Sequence, residues 1–68
     1  MLTMKEKIGL NAGTVWAYLN ENGAKGLKDI KKVCKLTEKD MYAALGWLAR
    51  EEKIDFKDTK DDIIIELV

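Results

Sequence analysis

Residues 27–48 read LKDIKKVCKLTEKDMYAALGWL, and two helical periods meet inside this stretch. Leu27, Ile30, Val33 and Cys34 recur at helical spacing, with Lys28, Lys31, Lys32 and Lys35 on the other face. They predict a short helix over about 27–34. Leu36 is an isolated apolar residue in the turn that follows, placed to plug a core between two helices. Thr37 has the chemistry of an N-cap, and Asp40 three residues on makes a capping-box-like pair with Asp in place of Glu. A further helix over about 38–52 follows, with Met41, Ala44, Leu45 and Leu48 as its apolar stripe. Two helices joined by a three-residue turn, the second one capped, make a helix-turn-helix.

Upstream, Ile8, Ala12, Val15, Trp16 and Leu19 share a helical stripe, with Met4 on the same side. A first helix over about 3–22 ends at Asn22-Gly23, a common helix stop. Gly9 and Gly13 sit inside it. Either the helix starts late, near Thr14, or something packs closely against those glycines, which share a side with Leu10 and Ala17. Residues 24–27 have room for a turn or a brief strand.

Downstream, Ile54 and Phe56 alternate with Asp55 and Lys57, a period of two that defines a strand. Asp58 to Asp62 is a polar turn. The β-branched run Ile63-Ile64-Ile65 with Glu66, Leu67 and Val68 makes a second strand, so the pair forms an antiparallel hairpin with Ile63, Ile65 and Leu67 facing inward. The order is helix, short extended piece, short helix, turn, helix, hairpin. That is an α+β winged helix-turn-helix with the hairpin as the wing, in one domain over residues 1–68. The expected core is Ile8, Val15, Leu19, Ile30, Met41, Leu45, Leu48, Ile54 and Phe56, with Trp16 as further core because it borders the Ile8, Val15 and Leu19 stripe.

The composition narrows the function. Histidine and proline are absent and Cys34 is the lone cysteine, so an internal disulfide, a cysteine zinc site and histidine acid–base chemistry are excluded. Cys34 reads as a buried apolar filler with no histidine to activate it, and no catalytic residue, metal, cofactor or small-molecule substrate is expected. No apolar run approaches the ~20 residues of a membrane span. A lone thiol without a signal peptide points to the reducing cytoplasm. Lys plus Arg is 12 and Asp plus Glu is 12, yet residues 25–39 sum to +4 and residues 40–68 to −4.

The run Ala12-Gly13-Thr14-Val15-Trp16, together with Ala44-Leu45-Gly46-Trp47-Leu48-Ala49-Arg50-Glu51-Glu52-Lys53-Ile54, is similar to a family of small bacterial winged helix-turn-helix domains of uncharacterised function. The resemblance spans nearly the whole chain. It implies the fold, and analogy with that fold, together with the lack of catalytic residues, leads to the expectation of a non-enzymatic DNA-binding-type module with a transcription-regulatory role. It supplies no site residues.

Those come from the helix geometry. In the usual docking the third helix enters the major groove. Opposite Met41, Leu45 and Leu48 at 100° per residue lie Lys39, Ala43, Gly46 and Arg50, flanked by Tyr42 and Trp47. Lys39, Tyr42 and Arg50 are the expected nucleic-acid contacts, with Lys28 and Lys32 adding a sequence-independent part. Against this, Ala43 and Gly46 offer no side-chain hydrogen bond to a base edge. Glu38 and Asp40 would repel phosphate, and Asp58, Asp61 and Asp62 make the wing tip acidic.

The alternative is a protein-interaction domain without DNA binding. Trp47 and Tyr42 would anchor its surface around Ala43 and Gly46, with Lys39 and Arg50 as a polar rim. Trp47 reads equally as half buried against helix one or the wing. A homodimer is a further expectation, through Ile64 on the outer face of the hairpin or through the Gly13 side of helix one.

Overall fold

A computed structural model describes all 68 residues. In chain order the elements are α1 (Met4–Asn22), β1 (Lys25–Gly26), α2 (Leu27–Val33), α3 (Glu38–Arg50), β2 (Ile54–Asp58) and β3 (Ile63–Leu67).

Local chemistry sets the helix ends. Thr3 caps α1: its Oγ1 accepts the Glu6 amide at 3.1 Å, and its own amide donates to Glu6 Oε1 at 3.2 Å. The helix runs unbroken to Gly23, whose φ of 81° suits glycine and whose amide donates to the Leu19 carbonyl at 2.8 Å. It does not start late at Thr14. Gly9 and Gly13 therefore lie in a helix interior, where each costs ~1 kcal/mol against Ala. Nothing lies within 4 Å of a Cβ built on either, so no part of this chain packs against them.

Thr37 caps α3 as expected, accepting the Asp40 amide at 3.1 Å. The Asp40 carboxylate goes elsewhere, to Lys7 Nζ at 3.3 Å. α2 and α3 both end in left-handed residues that are not glycine, Lys35 (φ 55°) and Glu52 (φ 57°). Beyond them the Leu36 amide donates to the Lys31 carbonyl at 3.2 Å, and the Lys53 amide to the Leu48 carbonyl at 2.9 Å. Both are the six-to-one bond of a Schellman motif.

The short extended piece joins the hairpin, so the sheet has three antiparallel strands in the order β1-β3-β2. Lys25 pairs with Ile65 and Gly26 with Ile64; on the other side Ile54 pairs with Leu67 and Phe56 with Ile65. The helices cover one face. Ala12, Val15, Leu19, Ile30, Met41, Ala44, Leu45, Leu48, Ile54 and Ile65 are buried together.

Five residues expected on the buried apolar faces differ. Ile8 is half-buried, Met4 is exposed, and Trp16 keeps 39% of its surface open because it stands at the margin of the α1 stripe, where it lines an open cleft. Phe56 faces the same side as Ile65, but β2 is an edge strand that leaves the helical layer after Ile54, and Phe56 is 48% exposed. Val33, at the end of α2, also lies in solvent.

Candidate nucleic-acid interface

α3 packs its stripe inward through Met41, Ala44, Leu45 and Leu48, so the opposite face is open. Lys39, Gly46 and Arg50 are exposed there and Ala43 is half-buried. Lys39 and Arg50 are eleven residues apart, roughly 16 Å along the axis. Nothing lies within 4 Å of a Cβ built on Gly46, so the middle of the strip is free for close approach.

The two aromatics part to opposite sides. Tyr42 borders a shallow cleft of about 200 Å³ with Leu27, Lys28 and Lys31 of α2 and Asp62 before β3. This brings together two expected contacts, Tyr42 and Lys28. Lys32 is exposed on α2 but does not line that cleft. Trp47 faces a larger cleft of about 420 Å³, shared with Gly9, Gly13 and Trp16 of α1 and with Glu51, which follows α3. Trp47 thus leans toward α1 and is 44% exposed. Of the expected interface residues, the fold joins Trp47 with Gly13 and separates both from Tyr42. Ile64 is half-buried, and its Cδ1 lies 3.6 Å from where a Cβ on Gly26 would be.

The acids at the start of α3 are partnered. Asp40 pairs with Lys7 of α1, and Glu38 lies 3.7 Å from Lys31 of α2. Both pairs are partly exposed and contribute little stability, but each sets a cation against a carboxylate that phosphate would otherwise meet. Lys28, Lys32, Lys39 and Arg50 make no ion pair.

One wing acid is turned inward. Asp62 Oδ1 accepts the Ile63 amide at 2.7 Å, and its Oδ2 accepts the Lys28 amide at 3.4 Å. Its carboxyl is held below the usual aspartate range, chiefly by the Ile63 amide. Partial desolvation opposes this, while the Lys28 and Leu27 amides and the Lys28 charge reinforce it. Thr59 closes the turn, with its Oγ1 donating to the Asp62 carbonyl at 2.6 Å and accepting the Asp62 amide at 3.0 Å. Asp58 and Asp61 remain exposed.

Cys34 is half-buried against the core, and burial pushes its thiol pKa up, which disfavours the nucleophilic thiolate. No three His, Cys, Asp or Glu side chains converge on a metal-sized site. No helix is long and apolar enough to cross a membrane.

Reading the sequence placed Trp16 in the core and missed its place in the α1 cleft. The signal was present, since Trp16 lies beside Gly9 and Gly13 on the helical wheel. The Asp62 contact with α2 and the Lys7–Asp40 pair carried no local signal.

A helix-turn-helix followed by a protruding hairpin, with the third helix open to solvent, defines a winged helix-turn-helix domain. The chain belongs to the winged helix-turn-helix domain family DUF2582, which it matches over residues 2–67. It is similar to Uncharacterized protein MJ1608 of Methanocaldococcus jannaschii, 40% identical over 68 residues, 94% of this chain and 96% of that one. Its fold is similar to the solution NMR structure of protein BT2368 from Bacteroides thetaiotaomicron. There the TM-score is 0.84 and the identity 32%, over 96% of this chain and 79% of the other. One of these relatives is archaeal, so the bacterial grouping expected from the sequence is too narrow.

Proposed function

We propose that the protein is a non-enzymatic duplex-DNA-docking module of the cytoplasm with a regulatory role, using α3 as the groove helix. One observation carries this reading: the two carboxylates at the start of α3 are each set against a lysine from another helix, while Lys28, Lys32, Lys39 and Arg50 stay exposed and unpaired. The local field at the head of α3 is thereby less hostile to phosphate than the sequence suggests. Lys39 and Arg50 serve the two ends of the α3 strip, Tyr42 and Lys28 its α2 side. Ala43 and Gly46 allow close approach but read no base, so binding is mostly electrostatic and weakly sequence-selective.

A salt titration of binding to random duplex DNA tests this. Four cationic contacts give a slope of about −3 to −4 in log affinity against log salt. Absence of binding at low salt would favour the other reading, a protein-interaction domain. The half-exposed Trp16 and Trp47 around one cleft speak for that second reading.

A further inference from the structure

The cleft of about 200 Å³ between α2, α3 and the turn before β3 holds an uneven set of polar groups. Its two carboxylates are engaged. Asp62 accepts the Ile63 and Lys28 amides, and Glu38 Oε1 lies 3.7 Å from Lys31 Nζ. Its donors are open. Lys28 has no ion-pair partner, and the hydroxyl of the exposed Tyr42 is free to donate. Lys31 stands beyond hydrogen-bond reach of Glu38, so its three N–H donors remain available. Acceptors taken and donors open suit a ligand that only accepts, an oxyanion.

At rest the cleft is neutral, with Lys28 and Lys31 against Glu38 and Asp62. The two acids are not equally fixed. Asp62 is tied by backbone amides from two segments. The Glu38 side chain is 72% exposed and held by one loose contact, and exposed pairs of this kind contribute little. An arriving oxyanion can therefore take Lys31 from Glu38, whose side chain turns into water. Two lysines then face one tied aspartate.

Position names the oxyanion. Tyr42 is at once a wall of this cleft and a flank of the α3 strip, so a duplex with α3 in its groove brings its backbone to the cleft mouth. The cleft is shallow, and the chain buries no polar side chain that could hold a free ion there without the rest of the duplex.

We propose that this cleft seats one phosphate of the duplex backbone, with Lys31 as a contact that Glu38 restrains until the phosphate displaces it. The inference rests on the DNA reading and adds to it a fifth cation and a latch.

Fluorescence anisotropy of the full chain with random duplex DNA over a salt series tests it, with a thermal melt of each variant. Five cationic contacts give a wild-type slope of about −4.5 in log affinity against log salt. Lys31→Ala should return it to about −3.6 and weaken binding at 0.1 M salt about eightfold. Its melting temperature should hold, because the side chain is half in solvent and alanine favours helix. Lys31→Arg should keep both affinity and slope. Glu38→Gln should tighten binding in the wild type and clearly less in the Lys31→Ala background, where the latch has nothing to hold. A carboxylate that merely repels phosphate would give the same gain in both. Inorganic phosphate should compete with the duplex no better than chloride at equal ionic strength. An unchanged slope in Lys31→Ala or equal gains from Glu38→Gln would overturn the latch while leaving the DNA reading intact. Stronger competition by phosphate than by chloride would make this a free-ion site and overturn the assignment to DNA backbone. A wild type that binds no duplex at low salt would remove the DNA reading and this inference together.

Discussion

The carboxylate of Asp62 occupies the space that a side chain on Gly26 would need. A Cβ on Gly26 would collide with Asp62 Oδ2 and come within 3.1 Å of its Cγ. Gly26 is the N-cap of α2 and has no side chain to accept the first amides of the helix. Asp62 supplies that oxygen from the turn that leads into β3, 34 positions from Lys28. Glycine at 26 and aspartate at 62 are two halves of one cap.

The first prediction concerns this pair. Gly26→Ala should displace the carboxylate and lower the melting temperature, and Asp62→Ala should do the same. Because both lose the same contact, the double variant should cost little more than the larger single change. Additive losses in thermal melts would show that the two positions act independently.

The second concerns pH. The folded-state pKa of Asp62 lies below its unfolded value, so its contribution is present above the unfolded value of about 3.9. That contribution fades as pH falls through the folded value. Asp62→Asn should therefore be less stable than wild type near neutrality, with the gap closing in acid. Urea midpoints measured down the acid limb check this; a gap that is constant with pH would rule out the carboxylate as the source.

The third uses the left-handed residue after α3. Glu52 holds a φ of 57°, a conformation that costs a non-glycine residue roughly 1–2 kcal/mol. Its negative charge is also misplaced at a helix C-terminus. Glu52→Gly should raise stability by about 0.5–1 kcal/mol, after the entropy that glycine regains in the unfolded chain. Destabilisation in urea would mean that the Glu52 side chain holds something the backbone geometry does not reveal.

The fourth contrasts two apolar positions. Leu45 is buried and Leu45→Ala should cost about 2–5 kcal/mol. Phe56 is half exposed on the wing, and Phe56→Ala should cost about 1 kcal/mol against roughly 3–5 for a buried phenylalanine. Chemical denaturation of both variants ranks them directly, and a larger loss at Phe56 would contradict the placement of the wing.

The fifth tests the DNA reading by charge. Lys39→Ala and Arg50→Ala should each weaken duplex binding and reduce the salt slope by about 1. Asp58→Lys and Asp61→Lys, which replace exposed wing acids, should strengthen it. Fluorescence anisotropy over a salt series reports both; variants that bind like wild type would remove α3 and the wing from the interface.

Periodicity in the sequence revealed the three helices, the hairpin and the face each turns inward. Met41, Leu45 and Leu48 could be placed because helical spacing defines a face and that face is fully covered. Phe56 and Trp16 failed for the complementary reason: spacing assigns a side chain to a face but not how far the neighbouring element extends over it. β1 is two residues long and exists only because β3 pairs with it. Tyr42 and Trp47 were placed on either flank of the α3 strip from wheel angles alone. The partners of Asp40 and Asp62 come from distant parts of the chain, and no local pattern encodes them.

The position of β3 bears on how the chain is made. Residues 63–67 form the middle strand, between β1 and β2, and bring Ile65 to the centre of the core. A ribosome delivers α1, α2 and α3 well before these residues. Until residue 67 has emerged there is no sheet for the helices to cover and no oxygen from Asp62 at the head of α2. The helices can flicker into existence but have little to hold them. The hairpin then closes locally, and pairing with β1 must bridge about forty intervening residues, a closure far longer than the hairpin's own. Folding is therefore withheld until translation has passed the middle strand, and a stalled or clipped product lacking it would meet the quality-control machinery as an open chain.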